Sequence, residues 1–232
     1  MSFFHELKEA FLHLLYPHTC AGCGEELSSP ETALCLRCLH ELPETGFAPL
    51  ADNPAEKLFR GRLPLYSASA QYYFTRESLI QKLMHRFKYQ GRRDLGYQLG
   101  RIMGKQLQAS GRFPVDGLIP LPLFPQKEKM RGYNQALVLC EGMAVAMQVP
   151  VLGDAVIRPE HTETQTRKGR VERWINMEGK FLLQQVSSLE NKHVLLVDDV
   201  VTTGATLESC GNELLKIPGL QLSLATLCIA TR

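Results

Sequence analysis

The stretch His193-Val-Leu-Leu-Val-Asp-Asp-Val-Val-Thr-Thr-Gly-Ala-Thr-Leu207 decides how the rest of this 232-residue chain is read. Four apolar residues, Val194 to Val197, run straight into Asp198 and Asp199. A hydroxyl-rich turn with one glycine follows, and then a helical pattern with Leu207, Cys210, Leu214 and Leu215 on one face. An unbroken apolar run suits a strand covered on both faces, as in a parallel sheet. Ligands of open α/β sheets sit just beyond the carboxyl ends of such strands. A turn of N–H groups and hydroxyls at a helix N-terminus is suited to phosphate. The two acids beside it would accept hydrogen bonds from sugar hydroxyls or hold a metal. A sugar-phosphate site is therefore expected here.

Two other uses of a strand ending in paired acids fit less well. A phosphorelay receiver domain needs a further acceptor Asp and a Lys over roughly a hundred more residues, whereas 33 residues follow Asp199 in this sequence. A nucleotide-binding P-loop needs Gly-x-x-x-x-Gly-Lys-Ser/Thr, which the sequence lacks. Incidental acids at a buried strand end are also disfavoured, because two unpartnered carboxylates there are costly.

Outward from this stretch the pattern alternates. Strands are expected at Leu65–Phe74, from Gly117, at Val151–Ile157 and at Leu220–Ile229. Amphipathic helices are expected at Glu77–Tyr89, Leu95–Leu107 and Gln135–Met147. The alternation predicts an α/β fold with a mainly parallel sheet flanked by helices. A Pro-rich loop after Ile119 carries Lys127, Lys129 and Arg131. The hydrophilic stretch 158–173, with Thr162, Gln165 and Arg167, has no helical stripe and reads as a functional loop. The helix Glu77–Tyr89 and its exit carry Lys82, Arg86, Lys88, Arg92 and Arg93. These cations read either as a solvated face or, since Phe87 and Tyr89 interleave with them, as an edge for a polyanion such as single-stranded nucleic acid.

Nearer the start, Cys20-Ala-Gly-Cys23 and Cys35-Leu-Arg-Cys38 form two CxxC pairs eleven residues apart. Two such pairs predict a four-thiolate zinc site, structural because four protein ligands leave no position for water. A segment this short builds little core, so the metal would supply its folding energy. Residues 2–15 carry an apolar helical stripe and are expected as a leader helix. The expected division is thus residues 1–45 as leader helix and zinc module, 46–64 as a Pro- and Gly-containing linker, and 65–232 as the α/β domain.

Composition limits the partners. A hydrophobic share of 44% and a charged share of 22% are those of an ordinary globular chain. A net charge of +2 gives no global pull toward nucleic acid. No apolar run reaches the ~20 residues that span a bilayer, and no signal-peptide pattern opens the sequence, so a cytoplasmic protein is expected.

The residues Val197 to Thr206 resemble the phosphoribosyl pyrophosphate (PRPP) motif of type I phosphoribosyltransferases. Over a longer span the chain resembles the ComF family, which joins a four-Cys zinc module to a phosphoribosyltransferase-like domain. The matching stretches are the four cysteines, Lys88-Tyr89-Gln90-Gly91, Pro120-Leu121-Pro122-Leu123 and Arg131-Gly132-Tyr133-Asn134-Gln135-Ala136. A spaced set, Arg158, Thr162, Gln165, Arg173, Asn176 and Phe181, completes them.

The resemblance implies that Asp198 and Asp199 contact the ribose hydroxyls as the catalytic pair. It implies that Thr202, Thr203, Gly204, Ala205 and Thr206 hold the 5-phosphate, and that Leu121, Lys127, Lys129 and Arg131 face the pyrophosphate. Thr162, Gln165 and Arg167 would lie on a flexible loop over it. Mg²⁺ would accompany PRPP, and the ComF association is with natural transformation. Single-stranded DNA, a DNA-uptake helicase and processing proteins are then the implied partners. The alternative is an active phosphoribosyltransferase that passes ribose 5-phosphate to a nitrogenous acceptor. Thr202 stands where hypoxanthine-type salvage enzymes carry an Asp facing the purine, and a threonine cannot act as that base at neutral pH.

Overall fold

The computed structural model describes residues 18–29, 32–159, 181–184 and 186–230. The expected leader helix and the loop residues Thr162, Gln165 and Arg167 lie outside them.

Four parallel strands make the central sheet, in the order β1 (Ala68–Phe74), β6 (Gln221–Ala230), β5 (His193–Val201) and β2 (Gly117–Pro120). Beyond β2, a single parallel bridge ties Val151 to Leu118. The expected strand at Val151–Ile157 is shorter than its apolar residues suggest. It reduces to β3 (Val156–Ile157), which pairs antiparallel with β4 (Leu182–Leu183) outside the main sheet.

Both faces of the sheet are covered, which is why β5 reads as continuous apolar sequence. Leu195 and Val197 enter one core, with Ile80, Leu83 and Phe87 of α3 (Leu79–Tyr89). The same core takes Leu95 and Leu99 of α4 (Arg93–Ser110) and Leu139 and Met143 of α6 (Gln135–Met147). Helices α4 and α6 touch almost backbone to backbone. A Cβ on Gly142 would sit 2.2 Å from the Tyr97 carbonyl oxygen, so only glycine permits this approach. Val194 and Leu196 enter the opposite core, with Leu207, Cys210 and Leu214 of α8 (Ala205–Leu214) and Leu189 of α7 (Val186–Leu189). His193, where β5 begins, is a satisfied core residue: its ring nitrogens meet the Pro114 carbonyl at 3.0 Å and Ser223 Oγ at 2.9 Å.

Residues 46–64, expected as a linker, are packed instead. They hold α2 (Pro54–Phe59), whose N-terminus is capped by the Asn53 side chain accepting from Ala55 N at 2.9 Å. The Asn53 amide also donates to the Ala68 carbonyl at 2.8 Å, so the cap is stitched to β1. Phe47, Ala55, Phe59 and Leu63 are buried in the α8-side core. Ala55, Phe59 and Leu63 keep a four-residue spacing, but the Pro and Gly scattered around them mask it.

The four-Cys segment packs on the other face. It includes α1 (Leu36–His40), and Ala21, Leu34 and Cys38 share a core with Leu83 and Phe87. Gln98 of α4 accepts from the Ala33 and Leu34 N–H groups at 2.7 and 3.1 Å, and Arg86 donates to the Ala21 carbonyl at 2.6 Å.

Candidate functional site

β5 runs past the expected end of the strand, and both acids lie within its ladder, with Asp198 opposite Thr226 and Val200 opposite Cys228. Strand alternation sends the two carboxylates to opposite sides of the sheet. Asp198 feels the charge of Arg158 and lies near Cys210 on the α8 side. Asp199 faces α3, where Lys88 Nζ lies 2.9 Å from Asp199 Oδ2. Burial, and then the neighbouring Asp199 carboxylate, push the Asp198 carboxyl up to about 8, while Lys88 and Arg131 pull the other way. The Asp199 N–H donates to Asp198 Oδ1 at 2.7 Å, which locks the pair together.

The turn after β5 brings Thr202 and Thr203 to the surface, with Ala205 and Thr206 exposed at the start of α8. Gly204 caps that helix in the left-handed conformation at φ +77°. A Cβ there would also lie 2.6 Å from the Phe59 ring, so two independent constraints select glycine. Arg62 braces the turn from the packed 46–64 segment. Its Nη1 donates to the Thr203 carbonyl at 2.7 Å, its Nε to Glu208 at 3.2 Å, and its Nη2 to the same carboxylate. Reading 46–64 as a linker hid Phe59 and Arg62. The Asn53-Pro54 start of a short helix was the available signal.

At the carboxyl end of β2, the expected Pro-rich loop contains a helix, α5 (Pro125–Arg131), begun by Pro125 at a position where its missing N–H costs nothing. Lys127 and Lys129 are exposed on it. Arg131 turns inward, donating to Gln135 Oε1 at 2.6 Å and lying 5.5 Å from the Tyr89 ring centroid. Its Nε is buried with no hydrogen-bond partner among the described residues. Leu121 differs from expectation. Its N–H is spent on the Val197 carbonyl at 2.8 Å, its carbonyl accepts from Asn134 at 3.0 Å, and its side chain is buried. Leu121 thus holds the loop to β5 and does not offer its own amide to a ligand.

Beside this loop lies a cavity of about 310 Å³, lined by Pro120, Pro122, Glu128, Asn134, Asp154 and Arg158 among others. The Arg158 guanidinium sits 3.3 Å from the Phe124 ring centroid and 5.0 Å from that of Phe181. Burial lowers its pKa from the usual arginine value.

The five cations read as a polyanion edge do not form one face. Lys88 points to Asp199, Arg86 to the Ala21 carbonyl, Arg92 to Asp94 at 2.7 Å and Arg93 to Glu141 at 3.7 Å. Lys82 is exposed in a shallow groove with Gln81, His85, Arg86 and Gln90. The helix period sets Lys88 apart from Lys82 and Arg86, which share one side of α3, and Arg92 and Arg93 lie beyond its end.

The four cysteines do come together. Their sulfurs all lie within 4.8 Å of one another, and those of Cys23 and Cys35 are 3.7 Å apart. Zinc–sulfur bonds of about 2.3 Å in a tetrahedron place sulfurs roughly 3.8 Å apart, so the donor set fits a structural zinc ion. Backbone N–H groups support it: Gly22 and Cys35 donate to Cys20 Sγ at 3.3 Å each, and Cys38 to Cys35 Sγ at 3.4 Å. Burial acts to raise the Cys20 thiol, but the N–H groups of Cys35, Cys23 and Gly22 outweigh it and bring it down to about 6. Burial and the neighbouring sulfurs push Cys38 up.

Among the described residues, no helix is long and apolar enough to cross a membrane.

With this geometry in place, comparison with known proteins finds a phosphoribosyl transferase domain over residues 134–232. Competence protein F of Haemophilus influenzae is 32% identical over 140 residues, which cover 58% of this chain and 61% of that protein. The match therefore spans less than two thirds of that relative. DNA utilization protein YhgH of Salmonella typhimurium is 25% identical over 213 residues, covering 90% of this chain and 83% of the relative. Competence protein ComFC of Bacillus subtilis is 25% identical over 202 residues, covering 82% and 81%. Strands β5 and β6 and helices α6 and α8 of the parallel sheet and its layers lie within the matched stretch 134–232.

Proposed function

We propose, for a chain that is a homologue of competence protein F, YhgH and ComFC and carries a phosphoribosyl transferase domain, that it binds PRPP at the carboxyl end of β5. One observation carries the reading. Asp198 and Asp199 lie near the carboxyl end of β5, which runs on to Val201, and a Gly204-capped helix start with Thr202, Thr203 and Thr206 follows. Hydroxyls and helix N-terminal amides suit the 5-phosphate. Adjacent carboxyl groups, one of them paired with Lys88, suit the ribose diol, since carboxyl oxygens accept hydrogen bonds from hydroxyls. Arg131, with Lys127 and Lys129, supplies positive charge on the side where the pyrophosphate would lie.

Hard oxygen donors at Asp198 and Asp199 fit Mg²⁺ carried in chiefly on the oxygens of PRPP. When bound, that ion would neutralise charge on the pyrophosphate. Calorimetric titration with PRPP in Mg²⁺ buffer tests the reading. Saturable binding that weakens at least tenfold in Thr203→Ala/Thr206→Ala is expected, and a flat titration overturns it.

In the cell, the competence and DNA-utilization names of the relatives favour a role in handling incoming single-stranded DNA. Binding to an oligonucleotide that weakens steeply as salt rises is the corresponding expectation. The retained acids favour a second reading, transfer of ribose 5-phosphate to a nitrogenous acceptor. That reading requires pyrophosphate release with some base, abolished in Asp199→Asn. Exposed Thr202 argues against hypoxanthine-type acceptors.

A further inference from the structure

We propose that Lys88 is a positioning residue for the PRPP site, orienting Asp199 toward the ribose diol from the last turn of α3. The inference rests on the PRPP reading and adds to it a residue that precedes the matched stretch 134–232.

The ion pair is close and sheltered. Lys88 Nζ is 2.9 Å from Asp199 Oδ2, and the two side chains are 20% and 12% exposed. Of the five cations on or just after α3, Lys88 is the one that meets the acidic pair. Arg86, Arg92 and Arg93 each answer to another acceptor, and Lys82 faces the outer groove.

The backbone that presents Lys88 is held in place. Phe87 is fully buried, its carbonyl accepts from the Tyr133 hydroxyl, and its ring packs so tightly on α4 that a Cβ at Gly96 would meet it at 2.1 Å. The start of α3 is capped by Ser78, whose hydroxyl accepts from Gln81 N at 3.3 Å. A lysine with four rotatable bonds ordinarily has a wide choice of positions. Here the last turn of α3 is anchored at both flanks, and the ammonium reaches a single carboxylate.

The chemistry follows from the donor and acceptor inventory. A carboxylate that binds a diol must present its lone pairs to two hydroxyl donors. An ammonium on Oδ2 fixes the side-chain rotation through a charge-assisted bond and leaves the second oxygen for the sugar. Lys88 therefore acts through Asp199. Its low exposure and its pairing set it apart from a surface lysine that would contact the pyrophosphate or a DNA phosphate.

The test is calorimetric titration of the full chain, in Mg²⁺ buffer, with PRPP, ribose 5-phosphate and inorganic pyrophosphate. Lys88→Met is expected to weaken PRPP and ribose 5-phosphate by the same factor, about 10- to 100-fold for loss of a hydrogen bond to a charged group. Pyrophosphate binding should stay within about twofold, as expected for a group with no role there. Lys88→Arg should recover most of the loss. Weakened pyrophosphate binding with ribose 5-phosphate unchanged would make Lys88 a leaving-group ligand and overturn the inference. So would three unchanged affinities. Should Lys88→Met fail to fold by circular dichroism, Lys88→Gln is titrated against the same criteria. Wild-type protein that binds none of the three overturns the PRPP reading itself, a result distinct from any change between variants.

Discussion

The four-Cys segment and the β5–α8 turn differ in how they are held: the first gathers four sulfurs from one short stretch, and the second, the turn proposed for the 5-phosphate, is braced from outside by Arg62. In the first, N–H groups of Gly22, Cys35 and Cys38 point at sulfurs, stabilise thiolate and so prepare a site for a cation. In the second, a Gly204-capped helix start and exposed hydroxyls form the turn proposed for the 5-phosphate, with Asp198 and Asp199 earlier on β5. The cation site is local: every donor lies between Cys20 and Cys38. The turn proposed to hold the phosphate is braced by Phe59 and Arg62 from elsewhere in the chain, with Lys88 on the nearby Asp199. The four-Cys segment is also tied to the helices, by Gln98 and Arg86, but its four sulfurs come from one short stretch.

If that contrast holds, removing the metal should be the most damaging change. Chelation, or Cys38→Ser, is expected to cost about 4–5 kcal/mol or more. In a chain of this size that lowers the melting temperature by roughly 10 °C or more. Bound zinc measured by atomic absorption should fall in step, and an unchanged melt would break the comparison from the metal side.

Next in size is Gly204→Ala. It forces an L side chain to φ +77° and into the Phe59 ring, for roughly 1–3 kcal/mol. PRPP affinity should drop at least tenfold while zinc content stays the same. Loss of zinc in this variant would show that the two sites are not independent.

Arg62→Ala sharpens the claim that the turn is held from outside. Losing its bonds to Thr203 and Glu208 should cost about 1 kcal/mol and weaken PRPP about fivefold. A null effect on PRPP titration would reduce Arg62 to a surface ion pair.

The smallest effect is a pH slope. Because the folded protein holds the Asp198 carboxyl up at about 8, above its unfolded value, the group contributes stability in its protonated form. That contribution is fully present below the unfolded carboxylate range near pH 4 and is lost as pH rises through about 8. Thermal melts of ligand-free protein should decline over this window, and Asp198→Asn should flatten the decline. A variant with the wild-type slope would rule out Asp198 as its source.

Much of this was legible in sequence because the signals were short-range. The apolar run into Asp198 and Asp199 announced a doubly covered strand, and β5 is buried on both faces. The CxxC spacing announced the sulfur cluster. Errors fell where a residue's role depends on a distant partner. Lys88 read as part of a basic edge because its neighbours in sequence are cations, yet its neighbour in space is Asp199. Residues 46–64 read as a linker because scattered Pro and Gly interrupt them and the helix there is short, although Ala55, Phe59 and Leu63 keep a four-residue spacing.

Sequence alone therefore determined the alternation of the main strands and helices and the clustering of the four cysteines. Each is written in periodicity or spacing within about twenty residues. Only the tertiary structure decided which cation meets the acidic pair, what braces the turn, and that Leu121 spends its amide on β5. Those outcomes depend on which side chains the packed sheet and helices bring within hydrogen-bonding distance, and no local pattern encodes that distance.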